Sequence, residues 1–371
     1  SEMCIRDSGY TVGRDAGRLL VSAPTAVLEG QIDTAVFNGV RQTRAPGSST
    51  DGYVQSQTAV ARGAQLWLGR YDGTGRNAVF DSQVRIGTAA AATARWSLQS
   101  ALDESRRNTV WLDGAQLSAQ QWGRLDLATA GSIRIDGELA LADGGQLNLV
   151  GGRIDINGQV RIGGGSLTAS NLLADATGRM QVVQANGRGV VALGEAAVID
   201  LDGRWANQRL DGGAGSAQAW INGGRVQLES SHDVSLAAGS RISVDAGGRV
   251  DLQGKASAGK GGDIALLADS SQVTTDGSGR LQLDGRLSGL GGTGAGTLQL
   301  ATGGKVTLAD RARDDGSLWL SPTLLRSGFG QYDINGHAGL EVADGTRLDV
   351  RAPTLRCLLY TSLMARGRRV D

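Results

Sequence analysis

The stretch from Ser132 to Ser170 repeats a short unit in which apolar and polar residues alternate before a glycine-bearing turn. The units read SIRIDG, ELALADGG, QLNLVGG, RIDINGQ, VRIGGG and SLTAS. Their first apolar positions lie six to eight residues apart, at Ile133, Leu139, Leu147, Ile154, Val160 and Leu167. Strict alternation is typical of half-buried strands, and Asp-Gly or Asn-Gly steps favour turns because these residues tolerate positive φ. The same pattern returns over residues 223–262 and 279–308.

Strand-turn units this short fit either antiparallel hairpins or the coils of a β-helix. A long series of two-residue hairpins would leave flat, unpaired sheet edges, which proteins avoid. Three units supply the roughly 18–22 residues of a three-stranded coil, and coils stack about 4.8 Å apart. The sequence therefore predicts an all-β fold, a right-handed single-stranded parallel β-helix (solenoid) with short helical insertions. Roughly 340 residues would form about 16–18 coils and a rod roughly 80 Å long.

The composition agrees with many tight turns around a thin aliphatic core. Glycine contributes 58 of the 371 residues, proline only 4, and aromatic residues 4%. Collagen needs a glycine period and abundant proline, and disorder needs fewer apolar residues than the 40% found here. Basic and acidic residues balance at 37 each, which argues against a nucleic-acid-binding stripe. Almost all positive charge is arginine, which suits either bidentate anion recognition or the codon bias of a GC-rich gene.

The two ends of the chain break the repeat pattern. Residues 1–8 (SEMCIRDS) and the tail 357–371, which opens with CLLYTS, resemble translated sequencing adapters. We therefore expect both to be foreign segments outside the stacked coils, and residues 9–356 to form the shaft. Cys4 and Cys357 lie in these ends, so neither a disulfide nor a metal site is expected in the body.

Two segments, near residues 100–123 and 318–331, interrupt the repeats and resemble each other. The aligned pairs are Trp111 with Trp319, Leu112 with Leu320, Leu117 with Leu325, and Trp122-Gly123 with Phe329-Gly330. Asp113 and Ser321 are good helix N-caps, and Pro322 suits the first helical position, so each segment predicts one short helix. We expect the rings to pack on the coil. Exposed together, they would instead form the apolar patch of a ligand-binding loop.

Candidate catalytic residues are few, and no site residue, metal or cofactor is predicted. His232 and His337 lie in turn-like settings without ligand-spaced partners, which favours exposed turn residues over a metal or base role. Glycosidic hydrolysis would need two carboxylates about 5–9.5 Å apart, and stacked coils could bring such a pair together. The candidates are Asp263, Asp284, Asp314 and Asp315. Turn chemistry already accounts for such aspartates, so a scaffold that is not an enzyme is preferred.

Glycine-rich motifs offer little further chemistry. GKGG (residues 259–262) and GGTGAG (residues 291–296) lack the spacing of a phosphate loop, and they indicate turns. DGGAGSAQA (residues 211–219) and DGSGRLQLDG (residues 276–285) lack the internal aspartate of the calcium nonapeptide repeat. A β-helical carbohydrate-active enzyme or carbohydrate-binding module acting on a polysaccharide stays open as the alternative to a scaffold.

Longer strings carry a likeness to a known family. They are GYTVGRDAGRLLV from Gly9, DGYVQSQTAVARGAQLWLGRYD from Asp51, VWLDGAQL from Val110, AAGSRISVDAGG from Ala237, GKGGDIALLAD from Gly259 and GSLWLSPTLLRSGFGQYDINGHAGLEVADGTRLDVRAP from Gly316. Nearly the whole body therefore resembles filamentous-haemagglutinin-type exoproteins of two-partner secretion systems, downstream of the secretion domain. Short repeats such as GSRISV are weakly specific, whereas the strings ending at Pro353 are much more so.

The resemblance implies a secreted or cell-surface, adhesin-like protein of a Gram-negative bacterium. Such proteins cross the outer membrane through a β-barrel transporter and fold outside as β-helical filaments that serve adhesion, biofilm formation or contact-dependent competition. The implied partners are that transporter and a host or bacterial surface glycan or protein receptor. The sequence holds no Asn-Pro-Asn-Gly secretion motif, no secretion signal and no apolar run of eighteen residues. We therefore expect the native N-terminus to lie outside it, and expect no transmembrane segment.

Overall fold

The computed structural model describes residues 10–28, 30–47, 56–71, 78–88, 99, 101, 104–183, 188–210, 215–351 and 353. The predictions for the two foreign ends, and both cysteines, fall outside these residues. Within them the protein is mostly β, as predicted, and the helices are one α-helix and three short 3₁₀ helices.

The described part of the chain forms thirty strands and four helices. The first ten strands are β1 (Arg18–Val21), β2 (Ala26–Val27), β3 (Gln65–Leu68), β4 (Arg70–Tyr71), β5 (Ala78–Val79), β6 (Gln83–Gly87), β7 (Thr109–Asp113), β8 (Arg124–Ile135), β9 (Glu138–Ala140) and β10 (Gln146–Ile156). The next ten are β11 (Gln159–Arg161), β12 (Ser166–Ser170), β13 (Leu172–Ala174), β14 (Met180–Val182), β15 (Val190–Leu193), β16 (Val198–Asp200), β17 (Trp205–Asn207), β18 (Arg225–Glu229), β19 (Asp233–Leu236) and β20 (Arg241–Ser243). The last ten are β21 (Gly248–Val250), β22 (Ala256–Ala258), β23 (Asp263–Leu267), β24 (Leu281–Leu283), β25 (Arg286–Ser288), β26 (Thr297–Thr302), β27 (Val306–Leu308), β28 (Leu318–Leu320), β29 (Gln331–Gly336) and β30 (Leu340–Val342). The helices are α1 (Gly114–Gln120) and the 3₁₀ helices Glu104–Arg106, Gly215–Trp220 and Pro322–Arg326.

Most strands pair in parallel and form three long stacks, here called ladders. The first ladder runs β1-β3-β8-β10-β12-β18-β23-β26-β29. The second runs β2-β7-β6-β8-β10-β15-β19-β24, and the third runs β9-β11-β16-β20-β25. The long strands β8 and β10 contribute to both the first and the second ladder, with a register shift between Gly151 and Arg153. Among the described residues, antiparallel pairing is confined to β4-β5, β13-β14 and β21-β22, so the series of hairpins is excluded for these ladders.

The spacing between paired residues agrees with the sequence pattern only in the middle of the chain. Leu125 pairs with Leu147 and Leu147 with Leu167, intervals of 22 (147 − 125) and 20 (167 − 147) residues. The next pair, Leu167 with Val226, is 59 residues apart (226 − 167), because the β13-β14 hairpin and further segments lie between. The predicted 16–18 coils and 80 Å rod are therefore wrong. The first ladder has nine strands in the described residues, which span roughly 38 Å at about 4.8 Å each.

Inward-facing aliphatic side chains form a continuous core. All six first apolar positions of the repeats are fully buried, as predicted: Ile133, Leu139, Leu147, Ile154, Val160 and Leu167. They belong to one hydrophobic cluster that extends from Ala64 to Phe329. Within the described residues, the fully buried rings are Trp122 and Phe329, each 1% exposed. Small branched side chains thus fill the narrow interior, which explains the low aromatic content.

A column of glycines directly precedes seven strands of the first ladder. Its members are Gly123, Gly145, Gly165, Gly224, Gly262, Gly296 and Gly330. A Cβ atom on Gly165 would lie 2.4 Å from the carbonyl oxygen of Gly145, and one on Gly262 would lie 1.9 Å from that of Gly224. None of the seven has a positive φ. Close stacking of neighbouring backbones, rather than turn conformation, therefore requires glycine in this column.

We expect Gly262→Ala to lower the free energy of unfolding by about 1–3 kcal/mol, because the added methyl group must displace the backbone of the neighbouring strand. Gly17→Ala is the matched control, since a Cβ there has nothing within 4 Å and its φ is not positive. Urea denaturation of both variants measures the difference. Equal stability of the two variants would contradict the proposed role of the column.

The two predicted helix starts are confirmed. The side chain of Asp113 accepts a hydrogen bond from the Gln116 N–H at 2.9 Å and opens α1. Ser321 likewise accepts from the Thr323 N–H at 3.3 Å and opens the helix Pro322–Arg326, which is 3₁₀ rather than α. Each start follows the prediction because a short polar side chain in extended backbone satisfies a helix donor that has no intrahelical partner.

The two segments also share a strand arrangement that the alignment did not show. In each, a strand pairs with the strand before it in the chain: β7 with β6, and β28 with β27. The strand after the helix, β8 or β30, then pairs with the other side of β6 or β27. Trp111 lies opposite Arg85 and Trp319 lies opposite Thr307 at the same register position. The chain therefore contains two copies of one strand-helix insertion.

Each helix lies at one end of the third ladder. The Ala140 N–H at the edge of β9 donates to Ser118 Oγ of α1 at 2.8 Å. At the opposite end, the N–H of Gly289, directly after β25, donates to the carbonyl of Ser327 at the helix C-cap at 3.0 Å. These contacts satisfy backbone groups at the ladder ends, where unpaired strand edges otherwise invite association.

Candidate binding cleft

The outward positions of the first ladder form a largely polar strip, here called the outer strip. The first position of each strand holds Arg18, Gln65, Arg124, Gln146, Ser166, Arg225, Asp263, Thr297 and Gln331. Two residues further along each strand lie Leu20, Trp67, Asp126, Asn148, Thr168, Gln227, Ala265, Gln299 and Asp333. Strand alternation directs both sets away from the buried leucines, so they line one outer face.

Two clefts open on the outer strip. The larger, of about 480 Å³, is here called the arginine cleft, and it lies within the usual range of about 300–1,000 Å³ for ligand pockets. Its polar and aromatic lining consists of Arg18, Asn38, Arg62, Gln65, Gln121, Arg124, Asp143, Gln146, Ser216 and Trp220. The smaller cleft, of about 210 Å³, is lined by Arg225, Gln227, Asp263, Thr297 and Gln299, together with three apolar residues. Both clefts therefore use side chains of the same strip.

Two arginines converge on one ring beside the arginine cleft. The guanidinium carbon of Arg18 lies 4.3 Å from the ring centroid of Trp67, and that of Arg124 lies 5.0 Å from it. Arg18 also donates from Nε to Gln65 Oε1 at 3.1 Å, and Arg124 donates from Nε to Asp126 Oδ2 at 2.5 Å. Stacking on an aromatic face fixes the orientation of a guanidinium group while it leaves the outer N–H groups available.

Asp143 contributes a carboxylate to the lining of the arginine cleft. Burial raises the pKa of this carboxyl, and the nearby Arg204 guanidinium, 3.2 Å away, opposes that rise. The adjacent Gly144 has a positive φ of 71°, and the six-membered ring of Trp220 lies where a Cβ of Gly144 would be. The helix Gly215–Trp220 thus packs its terminal ring on the turn that carries Asp143, which builds one wall of the cleft.

The histidines lie in turn or bend segments, as predicted, but the fold gives each a partner. His337 is exposed, and its Nδ1 lies 3.0 Å from Oδ2 of Asp269, a carboxylate that is 1% exposed. His232 is partly buried, and its Nδ1 lies 3.0 Å from Ser231 Oγ. The prediction that both are exposed is therefore wrong for His232. In the part of the chain that the structure describes, no group of three or more His, Cys, Asp or Glu side chains is arranged to hold a metal ion.

The four candidate carboxylates lie on different elements. Asp263 begins β23, pairs with Arg225 at 3.1 Å and accepts the Thr297 N–H at 2.9 Å. Asp284 follows β24 and accepts from Gln282 Nε2 at 2.6 Å. Asp314 and Asp315 lie in the exposed loop between β27 and β28, where Ser317 donates to Asp315 and lowers the pKa of that carboxyl. Their contacts are those of turn and ion-pair residues.

The glycine-rich motifs have structural positions. The last glycines of GKGG and GGTGAG, Gly262 and Gly296, belong to the glycine column. In DGSGRLQLDG, Asp276 accepts from the Ser278 N–H at 2.9 Å, and Gly277 has a φ of 71°, so this motif opens with a turn. The first four residues of DGGAGSAQA fall outside the described residues, and the rest lies in the helix that ends at Trp220.

The aligned aromatic residues differ in burial. Trp122 and Phe329 are buried, in agreement with the packing prediction, whereas Trp111 and Trp319 are half-buried. Arg85 lies over the Trp111 ring at 5.1 Å, and Trp319 donates from Nε1 to the carbonyl of Ala309 at 2.8 Å. These contacts account for both half-buried rings without an exposed apolar patch.

The arginine cleft was not predicted from the sequence. Arg18 and Trp220 are 202 positions apart (220 − 18), and neither lies in a motif with a spacing that indicates binding. The abundance of arginine relative to lysine was the one sequence feature related to it. That feature did not identify which arginines meet.

Comparison with known proteins found no match to a family model, to a curated protein or to a solved structure. Among the described residues, no helix is both long and apolar enough to cross a membrane. The fold and the outer strip are therefore the basis for any functional proposal.

Proposed function

We propose that this chain is a stretch of right-handed parallel β-helix that serves as a non-catalytic shaft of a large secreted or surface-exposed bacterial exoprotein. The observation that carries the proposal is the order in which the chain visits the ladders. From residue 124 to residue 170 it passes through the first and second ladders in β8, the third in β9, the first and second again in β10, the third in β11, and the first in β12. A chain that circles in this way builds the successive coils of a solenoid.

The distribution of side chains also supports a scaffold role. The inner positions are almost uniformly aliphatic, and each packs on its equivalent one coil away, so that neighbouring coils stabilise each other. Insertions such as the β13-β14 hairpin leave the ladders in register. A shaft of this design tolerates added loops and can present them to a partner along its length.

The likeness to filamentous-haemagglutinin-type exoproteins supports the cellular setting of this proposal. Export would proceed through an outer-membrane β-barrel transporter, which would recognise a secretion domain rather than the repeats. The shaft would then project regions for adhesion, biofilm formation or contact-dependent competition. Carbohydrate binding is the second candidate function, and the arginine cleft favours it over hydrolysis or elimination at the four candidate aspartates.

An antibody raised against this chain should label intact, unpermeabilised cells of a bacterium that carries the gene. Disruption of the partner transporter gene should abolish that labelling, whereas disruption of an unrelated outer-membrane protein gene should leave it. Labelling that requires permeabilised cells would contradict the surface location. Release of reducing or unsaturated oligosaccharides from a polysaccharide by the purified chain would contradict the non-catalytic role.

A further inference from the structure

We propose that the arginine cleft binds a uronic acid unit of a linear acidic polysaccharide, with Arg18 as the contact for the sugar carboxylate. This inference goes beyond the scaffold role, and its failure would leave that role intact because it concerns one face of the protein. The argument uses the charge balance of the cleft, its hydrogen-bonding groups and its continuation along the outer strip.

Charge pairing leaves one cleft arginine without a carboxylate. Arg62 pairs with Asp15 at 3.6 Å, and Arg124 pairs with Asp126. Among the described residues, Arg18 has no carboxylate partner, and its Nη1 and Nη2 atoms have no hydrogen-bond partner. One uncompensated guanidinium group matches one carboxylate, since the planar fork binds both carboxylate oxygens at once.

The fork of Arg18 is held in place before a ligand arrives. Its Nε donates to Gln65, and its face lies on Trp67. Because these contacts restrict the side chain, less conformational entropy is lost when Nη1 and Nη2 engage an anion. An exposed arginine without such support would offer a weaker site.

The remaining lining suits a polyhydroxylated ligand. Gln65, Gln121 and Gln146 present side-chain amides, each of which has donor and acceptor groups for hydroxyls. Trp220 adds a half-buried ring to the wall, and aromatic rings offer apolar area beside a polar tip. A carboxylate, several hydroxyls and one apolar face together describe a uronic acid unit.

The outer strip gives the site a direction. Beyond Gln146 the first position of the strip continues through Ser166 to Arg225, which lines the smaller cleft. Gln146 and Arg225 are two strand spacings apart, about 9.6 Å. A linear polymer lying across the strands would therefore reach both clefts, whereas a single sugar would fill only one.

Binding of polygalacturonate to the whole chain by isothermal titration calorimetry tests the proposal. We expect Arg18→Gln to weaken binding about tenfold or more, since it removes a charge-assisted contact. Arg241→Gln, an exposed arginine on the third ladder, should bind like the unaltered chain. Both variants should keep the melting temperature of the parent, because both side chains are exposed.

Two ligand controls make the outcome decisive. Fully methyl-esterified polygalacturonate keeps the sugar but removes the charge, and it should bind at least tenfold more weakly than the free acid. Inorganic polyphosphate and single-stranded DNA test a general anion site, and binding of either as tight as that of polygalacturonate would overturn the proposal. Absence of polygalacturonate binding, or equal affinity of Arg18→Gln and Arg241→Gln, would also overturn it.

Discussion

Leu147→Asp is expected to remove amide-exchange protection from β10 and the strands stacked on it, and to lower the free energy of unfolding by at least about 3–5 kcal/mol. Leu147 is fully buried and pairs with Leu125 on one side and Leu167 on the other. The substitution leaves an unpaired carboxylate in an aliphatic interior, where no polar group is available to it. Ile154→Asp, on the same strand, should act in the same way, since Ile154 is also fully buried.

Asn148→Asp is the matched control for this result. Asn148 is the next residue on β10, but alternation directs its side chain to the outer strip, where a carboxylate remains solvated. It should therefore change stability by less than about 0.5 kcal/mol. Hydrogen exchange read by mass spectrometry distinguishes local from global effects. Uniform loss of protection from β1 to β29 would indicate an all-or-none domain and contradict stabilisation by neighbouring coils.

Trp122→Ala should lower the free energy of unfolding by about 3–5 kcal/mol, because it empties the largest buried side-chain volume of the described core. Trp122 follows α1, and its Nε1 donates to Gln120 Oε1 at 2.9 Å. Its backbone N–C=O links the helix end to the next coil, since the Ala142 N–H donates to the Trp122 carbonyl at 3.0 Å. Loss of the ring should thus loosen α1 from the edge of β9.

Trp111→Ala provides the comparison within the same segment. Trp111 is half-buried and has Arg85 over its ring, so less apolar area returns to water when the ring is removed. We expect a loss no greater than about half that of Trp122→Ala in chemical denaturation. Phe329→Ala, at the other end of the third ladder, should resemble Trp122→Ala because Phe329 is equally buried. Equal losses for Trp111 and Trp122 would contradict the assignment of Trp122 as the buried anchor.

Local patterns in the sequence were sufficient for the strands, the inward residues and the helix starts. Alternation concerns residues two positions apart, so it predicts which side chains are buried whatever the strand pairs with, as Leu147 and Ile154 illustrate. An N-cap is likewise a contact over three residues, which is why Asp113 and Ser321 could be identified in advance.

Only the tertiary structure decided how far apart paired residues lie and what their meeting creates. Lengthening a loop adds little to its closure entropy, so the 59-residue interval between Leu167 and Val226 costs the ladder little and leaves no local signal. The glycine column follows from backbones that stack across such intervals, and turn chemistry alone could not separate its members from ordinary turn glycines. The arginine cleft, with Arg18 and Trp220 on opposite walls of the chain's long-range register, has the same origin. Pairing across long intervals is a property of the whole stack, and no short window of sequence contains it.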